Sequence, residues 1–308
     1  ALRRLTPERI DAMKRGVHAG LAERAGAFES FWRGIVADLS AYPPAVPPVA
    51  VPAEPEPDPT PPTPGPPVAT VCMPTRDRLG LTRRTLDVLR GHTHTPYRLI
   101  VVDNASTDGT VEWLRGQGID VVALPENRGK ATGLNEAMQQ VDTPYWAILD
   151  NDVEVPDGWL GACVDLLELF PTVGIAAVNC EPVDYPASTF NVGRQACVKE
   201  LASVGGACQV MRREMIDRIG YHATAYRTGG RDEAEWCFRV LMSGMKQAYV
   251  PGIKALHLGA GQSSVSAEMR AHAHRLWLKR AGWFTAAPAR LYIGPDGTDT
   301  GPQWRDVE

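Results

Sequence analysis

The reading of the chain turns on Tyr145-Trp146-Ala147-Ile148-Leu149-Asp150-Asn151-Asp152. Five apolar residues run straight into three polar ones. A short apolar run bounded by a polar cluster reads as a strand buried on both faces. Two carboxylates one residue apart then stand where the strand ends. Hard oxygen ligands so placed can grip a divalent cation. Taken alone, such a pair reads more simply as an acidic turn facing water. Its neighbours in the chain decide between the two.

Three more apolar runs precede it, at residues 68–73, 98–102 and 120–124. The first runs into Pro74-Thr75-Arg76-Asp77 and the second into Asp103-Asn104-Ala105-Ser106-Thr107-Asp108-Gly109. The third runs into Pro125-Glu126-Asn127-Arg128-Gly129. Helical stretches at 82–90, 109–116 and 129–140 lie between them, and another is predicted at 266–281. Alternating strands and helices, with strands this apolar, predict an α/β domain whose mostly parallel sheet is covered by helices on both faces. Ligands of such sheets gather at the carboxyl ends of the strands, and here all four ends are polar. Neither G-x-G-x-x-G nor G-x-x-x-x-G-K-[ST] occurs, so the dinucleotide and Walker loops do not apply.

Outside this region the chain changes character. Residues 43–67 hold 13 of the 26 prolines. Proline lacks the donor a helix or inner strand needs, so the stretch predicts an extended polyproline spacer or a docking site for a proline-binding domain. Residues 1–42 read as an amphipathic helical segment, with Thr6-Pro7 as its start and Ile10, Met13, Val17, Leu21, Ala25 and Phe28 on one stripe. That stripe needs a partner: the main domain, a second copy in a homo-oligomer, or another protein. Residues 68–284 form the main domain, and 285–308 are expected to be a loosely packed tail.

Bulk properties exclude several classes. With 32 Lys plus Arg against 36 Asp plus Glu, the net charge of −4 argues against a strongly basic nucleic-acid binder. No apolar run reaches the ~18–20 residues of a membrane span. Ala1-Leu2-Arg3-Arg4 does not open an apolar secretory signal. The six cysteines include no C-x-x-C pair, which argues against a structural zinc or a thioredoxin-like motif; several sit in apolar runs as small hydrophobes. A cytoplasmic location is the expectation.

The motifs together resemble the inverting family 2 of nucleotide-sugar glycosyltransferases, which have the GT-A fold. The resemblance covers about residues 68–265. Met73-Pro74-Thr75-Arg76-Asp77-Arg78 is similar to the family's opening. Val102-Asp103-Asn104-Ala105-Ser106-Thr107-Asp108-Gly109-Thr110 matches its second segment, Asn127-Arg128-Gly129 with Asn135 its third, and Asp150-Asn151-Asp152 its D-x-D. Asp232-Glu233-Ala234-Glu235-Trp236-Cys237-Phe238-Arg239 is similar to its acidic element, followed by Gly244, His257, Gly259, Gly261 and Ser263.

The resemblance implies roles for these residues. Asp150, Asp152 and His257 would hold a divalent cation, Mn²⁺ or Mg²⁺. Pro74, Thr75, Arg76, Asp103, Asn104, Arg128, Gly129, Asn135, Asp150 and Asn151 would bind the donor. That donor would be a UDP-, dTDP- or GDP-linked sugar, with Arg76 offering a guanidinium face to the base. Counting from Arg239, Glu233 takes the place of the catalytic carboxylate. The order Asp232-Glu233 inverts the family's, so Asp232 stays a rival. Gly205-Gly206 would lie near the acceptor cleft. The implied activity is metal-dependent, inverting transfer of a hexosyl or deoxyhexosyl group to a hydroxyl of a glycan, a protein or another acceptor. The alternative is a GT-A-like module that binds a nucleotide-sugar or glycan without turnover. A nucleotidyltransferase would need a glycine- and lysine-rich loop after the first strand, which Thr75-Arg76-Asp77-Arg78 is not.

Overall fold

Period-two burial along the central strands dictates the architecture. In β1 (Ala69–Thr75), Ala69, Val71 and Met73 pack on one face of the sheet and Cys72 on the other. In β4 (Tyr145–Leu149), Tyr145, Ala147 and Leu149 join the first face and Trp146 and Ile148 the second. Both sets are buried, so helices must cover both sides. On the first face lie α1 (Leu79–His92), α2 (Thr110–Gly116) and α4 (Trp159–Leu169), through Leu86, Leu89, Leu114, Trp159 and Leu167. On the second lie α3 (Lys130–Met138), α5 (Glu214–Ile219) and α6 (Asp232–Met242), through Leu134, Met138, Met215, Ile219 and Trp236.

The chain is described from a computed structural model that covers residues 65–182, 189–192, 196–199, 204–226, 231–259, 267–286 and 291–298. The N-terminal helical segment and nearly all of the proline stretch lie outside the described residues, as do Gly261 and Ser263. The other strands are β2 (Tyr97–Asp103), β3 (Asp120–Ala123), β5 (Val153–Glu154), β6 (Val173–Glu181), β7 (Thr189–Val192), β8 (Ala196–Lys199), β9 (Cys208–Arg212) and β10 (Lys246–His257). Their order is β3-β2-β1-β4-β9-β6-β10-β8-β7, with β5 paired to β10. The first four are parallel neighbours. Strand β9 enters antiparallel between β4 and β6, and β6 runs parallel to β10. The result is an α/β fold of GT-A type. The strands and helices expected up to residue 149 sit where the patterning puts them, with ends displaced by a turn or less. Cys72, Cys163, Cys180, Cys208 and Cys237 are free and buried, and burial pushes the Cys72 and Cys237 thiols up to about 12, as befits packing residues.

The C-terminal part departs from expectation. Helix α7 (Ala267–Ala286) runs past its predicted end. Its basic surface is not all solvated: Arg280 is buried and donates to Glu235 of α6, Nε to Oε2 at 2.7 Å and Nη2 to Oε1 at 3.1 Å. Nor is residue 285 onward uniformly a loose tail. Ile293 is fully buried with Tyr226, Ala273 and Phe284, and its carbonyl accepts the Tyr221 N–H at 2.9 Å. Among the described residues, no helix is long and apolar enough to cross a membrane.

Docking of residues 291–298 therefore stabilises the fold. Ile293→Ala should cost about 2–5 kcal/mol, the usual loss for truncating a buried Ile. Urea denaturation measures it as a lowered midpoint at unchanged slope. A loss below about 0.5 kcal/mol, the scale of an ordinary surface change, would mean the segment contributes nothing to the core.

Candidate active site

The site forms where β4 stops. The Asp150 N–H donates to Ala207 O at 2.9 Å, and a tight turn through Asn151 and Asp152 leads into β5. Strand β5 pairs antiparallel with the end of β10, with Val153 opposite His257, and the Leu258 N–H donates to Asp152 O at 2.8 Å. This pairing carries His257 to the carboxylates from more than a hundred residues away in sequence. His257 Nε2 lies 3.1 Å from Asp152 Oδ1, and one donor atom from each of Asp150, Asp152 and His257 falls within 4.8 Å of the others. Gly259 must lack a side chain, because a Cβ there would collide with Asp152 Oδ2. Two carboxylates and one imidazole suit a divalent cation of the Mn²⁺ or Mg²⁺ kind.

Cations already surround these groups. Arg78 Nη1 donates to Asp152 Oδ2 at 3.1 Å. It is aimed by an unusual turn after β1, in which Asp77 and Arg78 have φ of 52° and 59°. Left-handed backbone at two successive non-glycine residues costs roughly 1–2 kcal/mol each. Bonds to the loop after β2 offset it: Asp77 N–H to Ser106 Oγ at 2.6 Å, Thr107 N–H to Asp77 Oδ1 at 2.8 Å, and Leu79 N–H to Asp108 Oδ2 at 2.8 Å. Burial raises the Asp152 carboxyl, but the hydrogen bond and charge of His257, with Arg78 behind them, outweigh it and leave it low. His257 is correspondingly raised, first by its bond to Asp152.

Lys130, which the sequence reading passed over, joins the two halves of the site. Its Nζ lies 2.8 Å from Asp150 Oδ1 and 2.9 Å from Glu233 Oε1. Glu233 is in the first turn of α6, and a Cβ on Gly206 would lie 2.6 Å from its Cγ, so the Gly205-Gly206 turn leaves room for the carboxylate. Asp232 is placed differently. It is buried, with its Oδ2 3.9 Å from Nδ1 of the fully buried His222, which stacks on Trp236 at 4.9 Å. The Lys130 charge holds the Glu233 carboxyl below its ordinary value against burial. Burial, then the Glu233 charge, pushes Asp232 well above its own. Burial also pushes His222 down to about 3. Lys130 thus favours the carboxylate form of Glu233, while burial pushes Asp232 toward its neutral form. The only sequence hint of Lys130 was its place directly after Gly129.

A cleft of about 420 Å³ opens on Lys130 and the Asp150, Asp152 and His257 cluster. Glu233 is not in its lining and connects to it through Lys130. Of the expected donor-binding residues, Pro74, Thr75, Arg76, Asn104, Gly129, Asp150 and Asn151 line it, together with Lys130. Asn151 Nδ2 donates to Thr75 Oγ1 and Thr82 Oγ1, both at 3.0 Å, which tethers the D-x-D turn to β1 and α1. Asn104 Oδ1 accepts the Arg128 N–H at 2.8 Å. Asp103 is buried; its Oδ2 accepts the Ser106 N–H at 2.8 Å and its Oδ1 has no hydrogen-bond partner. Asn135 and Arg128 are not in the lining of the cleft. Asn135 lies in the core, where its carboxamide bonds to both the N–H and the carbonyl of His222, each at 2.9 Å. Arg128 turns its guanidinium toward Glu136 at 3.9 Å.

Comparison with known proteins agrees with this fold. Residues 70–220 match the family described as Glycosyl transferase family 2. TuaG of Bacillus subtilis, described as a glycosyltransferase of teichuronic acid biosynthesis, is 32% identical over 28% of this chain and 36% of its own length. The mannosyltransferase PcManGT from Pyrobaculum calidifontis, solved with GDP-Man and Mn²⁺, superposes with a TM-score of 0.59 at 24% identity, covering 87% of this chain and 74% of the other. TarS of S. aureus, solved with UDP, gives 0.54 at 16% identity, covering 68% and 64%. The chain spans between 20% and 36% of the length of the curated relatives it matches.

The burial of Asp232 has a measurable sign. An acid whose native pKa is raised costs stability above its unfolded pKa, because only the unfolded chain ionises it freely. Asp232→Asn should therefore melt at or above wild type near pH 7. That advantage should vanish below about pH 4, where the unfolded chain is protonated too. Thermal denaturation at both pH values tests this; a variant much less stable near pH 7 would mean that Asp232 is ionised and paired.

Proposed function

We propose that this chain, whose residues 70–220 match glycosyl transferase family 2, is a member of that family and transfers a sugar from a nucleoside-diphosphate donor to an acceptor hydroxyl with inversion at the anomeric carbon. One observation carries the reading: a candidate cation site lining the cleft, and a carboxylate, Glu233, joined to it by Lys130. A divalent cation held by Asp150, Asp152 and His257 would supply charge neutralisation for the departing nucleoside diphosphate. The protein's own groups do the rest. Glu233 accepts the acceptor's proton as its oxygen attacks the anomeric carbon, and the bond from that carbon to the diphosphate oxygen breaks. A single displacement of this kind has oxocarbenium character, which preorganised charge at the leaving group favours.

Glu233 is preferred over Asp232 as the base because it is ionised and next to Lys130, whereas Asp232 is buried against His222. The cleft walls at Pro74, Thr75, Arg76 and Asn104 suit a nucleotide, with Asp103 Oδ1 beneath as an acceptor without a partner. Uridine, thymidine and guanosine donors all remain within this reading, as do Mn²⁺ and Mg²⁺. The N-terminal segment is read as a docking helix on a proline spacer, outside the transferase domain. An intact base position beside an intact metal cluster disfavours a purely binding module.

The test is a panel of nucleotide sugars assayed for nucleotide release with and without Mn²⁺. Glu233→Gln should slow transfer at saturating donor by ~10²–10⁴-fold, the usual contribution of a general base, with donor affinity nearly unchanged. Asp232→Asn should cost far less. A dead Asp232→Asn beside an active Glu233→Gln would move the base by one residue. In the same assay Asp152→Ala should abolish turnover in a folded protein, and full wild-type activity in EDTA would remove the metal from the mechanism.

A further inference from the structure

Lys130 stands in a position that the transfer reaction alone does not require. It is the first residue of α3, and its side chain lines the cleft, about one third exposed. Its ammonium is shared between Asp150, from the cation cluster, and Glu233, from α6. Both Asp150 oxygens lie close to it, at 2.8 and 3.1 Å. Asp150 is thus engaged through its whole carboxylate by a positive charge that belongs to the protein. The cation cluster has Asp150 as one of its three donors. Two positive charges on one carboxylate, in a partly buried cleft, repel strongly.

Arg78 likewise places a charge on a cluster carboxylate, Asp152, but Lys130 also reaches Glu233. Arg78 and His257 both reach Asp152, while Lys130 reaches Asp150 and, through it, links the cluster to Glu233. A lysine is suited to such a post. Its charge sits on a flexible four-carbon stem with three rotatable donors, so it can change partners without a backbone movement. The cleft that it lines is where the diphosphate of the proposed donor would bring new negative oxygens.

We propose that Lys130 is a place-holding cation: in the donor-free cleft it competes with the divalent ion for Asp150 and occupies Glu233, and on donor binding it passes to a diphosphate oxygen. The base is thereby blocked while the cleft lacks a donor and freed when one arrives. Water or acceptor entering first meets a carboxylate already engaged. This inference rests on the transferase reading above, and it makes Lys130 a donor-contacting residue as well as the link between donor binding and the base.

The competition predicts opposite signs for two measurements. Calorimetric titration of Mn²⁺ into donor-free protein should give binding about tenfold tighter for Lys130→Met than for wild type, the order expected on removing one close like charge. Lys130→Arg keeps the charge and should bind Mn²⁺ as wild type does. Transfer at saturating donor should nevertheless fall by roughly 10²-fold in Lys130→Met, since a charge-stabilising donor at the leaving group is lost. Lys130→Gln, neutral but still a hydrogen-bond donor to Glu233, replaces Lys130→Met if that variant does not fold. Mn²⁺ uptake by wild type with no tightening in the neutral variant overturns the competition while leaving the transferase reading intact. No Mn²⁺ uptake by either protein overturns the competition and the metal site together. Tighter Mn²⁺ binding with undiminished transfer overturns the passage to the diphosphate.

Discussion

A strand buried on both faces has no place for a charge until it ends. β4 obeys that constraint strictly: all five of its residues are buried, and Asp150 and Asp152 follow at once. The earlier polar residues of β1 and β2 lie toward the opposite ends, Thr70 bonded to Thr143 and Arg98 partly exposed. Both strands likewise run into the site at Thr75 and Asp103 and the polar turns after them. Parallel pairing brings these ends to one edge of the sheet. The cleft is the consequence. Acidic groups crowded there cannot all be solvated, so each needs a cation or must give up its charge.

The protein uses both solutions. Asp152 is held ionised by His257 and Arg78, and Glu233 by Lys130. Asp232, one residue from Glu233 but turned into the core, is pushed toward its neutral form by burial. Two neighbouring acids thereby differ in protonation because of where one helical turn points them. Charges are placed at the cleft by backbone devices that themselves cost free energy, such as the left-handed turn at Asp77 and Arg78. The lacing of that turn to the loop after β2 ties the nucleotide side of the cleft to the cation side.

Helix α6 depends on the C-terminal part of the chain. Glu235 is buried and accepts two hydrogen bonds from Arg280 of α7, and Arg239 donates to the carbonyls of Ile219 and Tyr221. Breaking one partner of such a buried pair is costly, since it strands the other charge. The residues that flank Glu233 in sequence are thus anchored at several points. A carboxylate that must meet a proton in one geometry gains from a helix that cannot rotate.

Local pattern determined much of this protein. The parallel half of the sheet was legible from four apolar runs, because burial on both faces demands such runs. The D-x-D was legible from its place at a strand end. Tertiary structure decided the rest, because the remaining contacts join residues far apart in sequence. Lys130 meets Glu233 across 103 positions, and no local pattern marks a lysine for that. Asn135 sits in a matching motif, yet its carboxamide goes to the backbone of His222, and Arg128 turns away to Glu136. Asp232 and Glu233 are consecutive and chemically alike, but on a helix they point roughly 100° apart. Which of them met Lys130 was set by how α6 packs, through Trp236, against Trp146 and His222, a choice made by the folded core rather than by either residue.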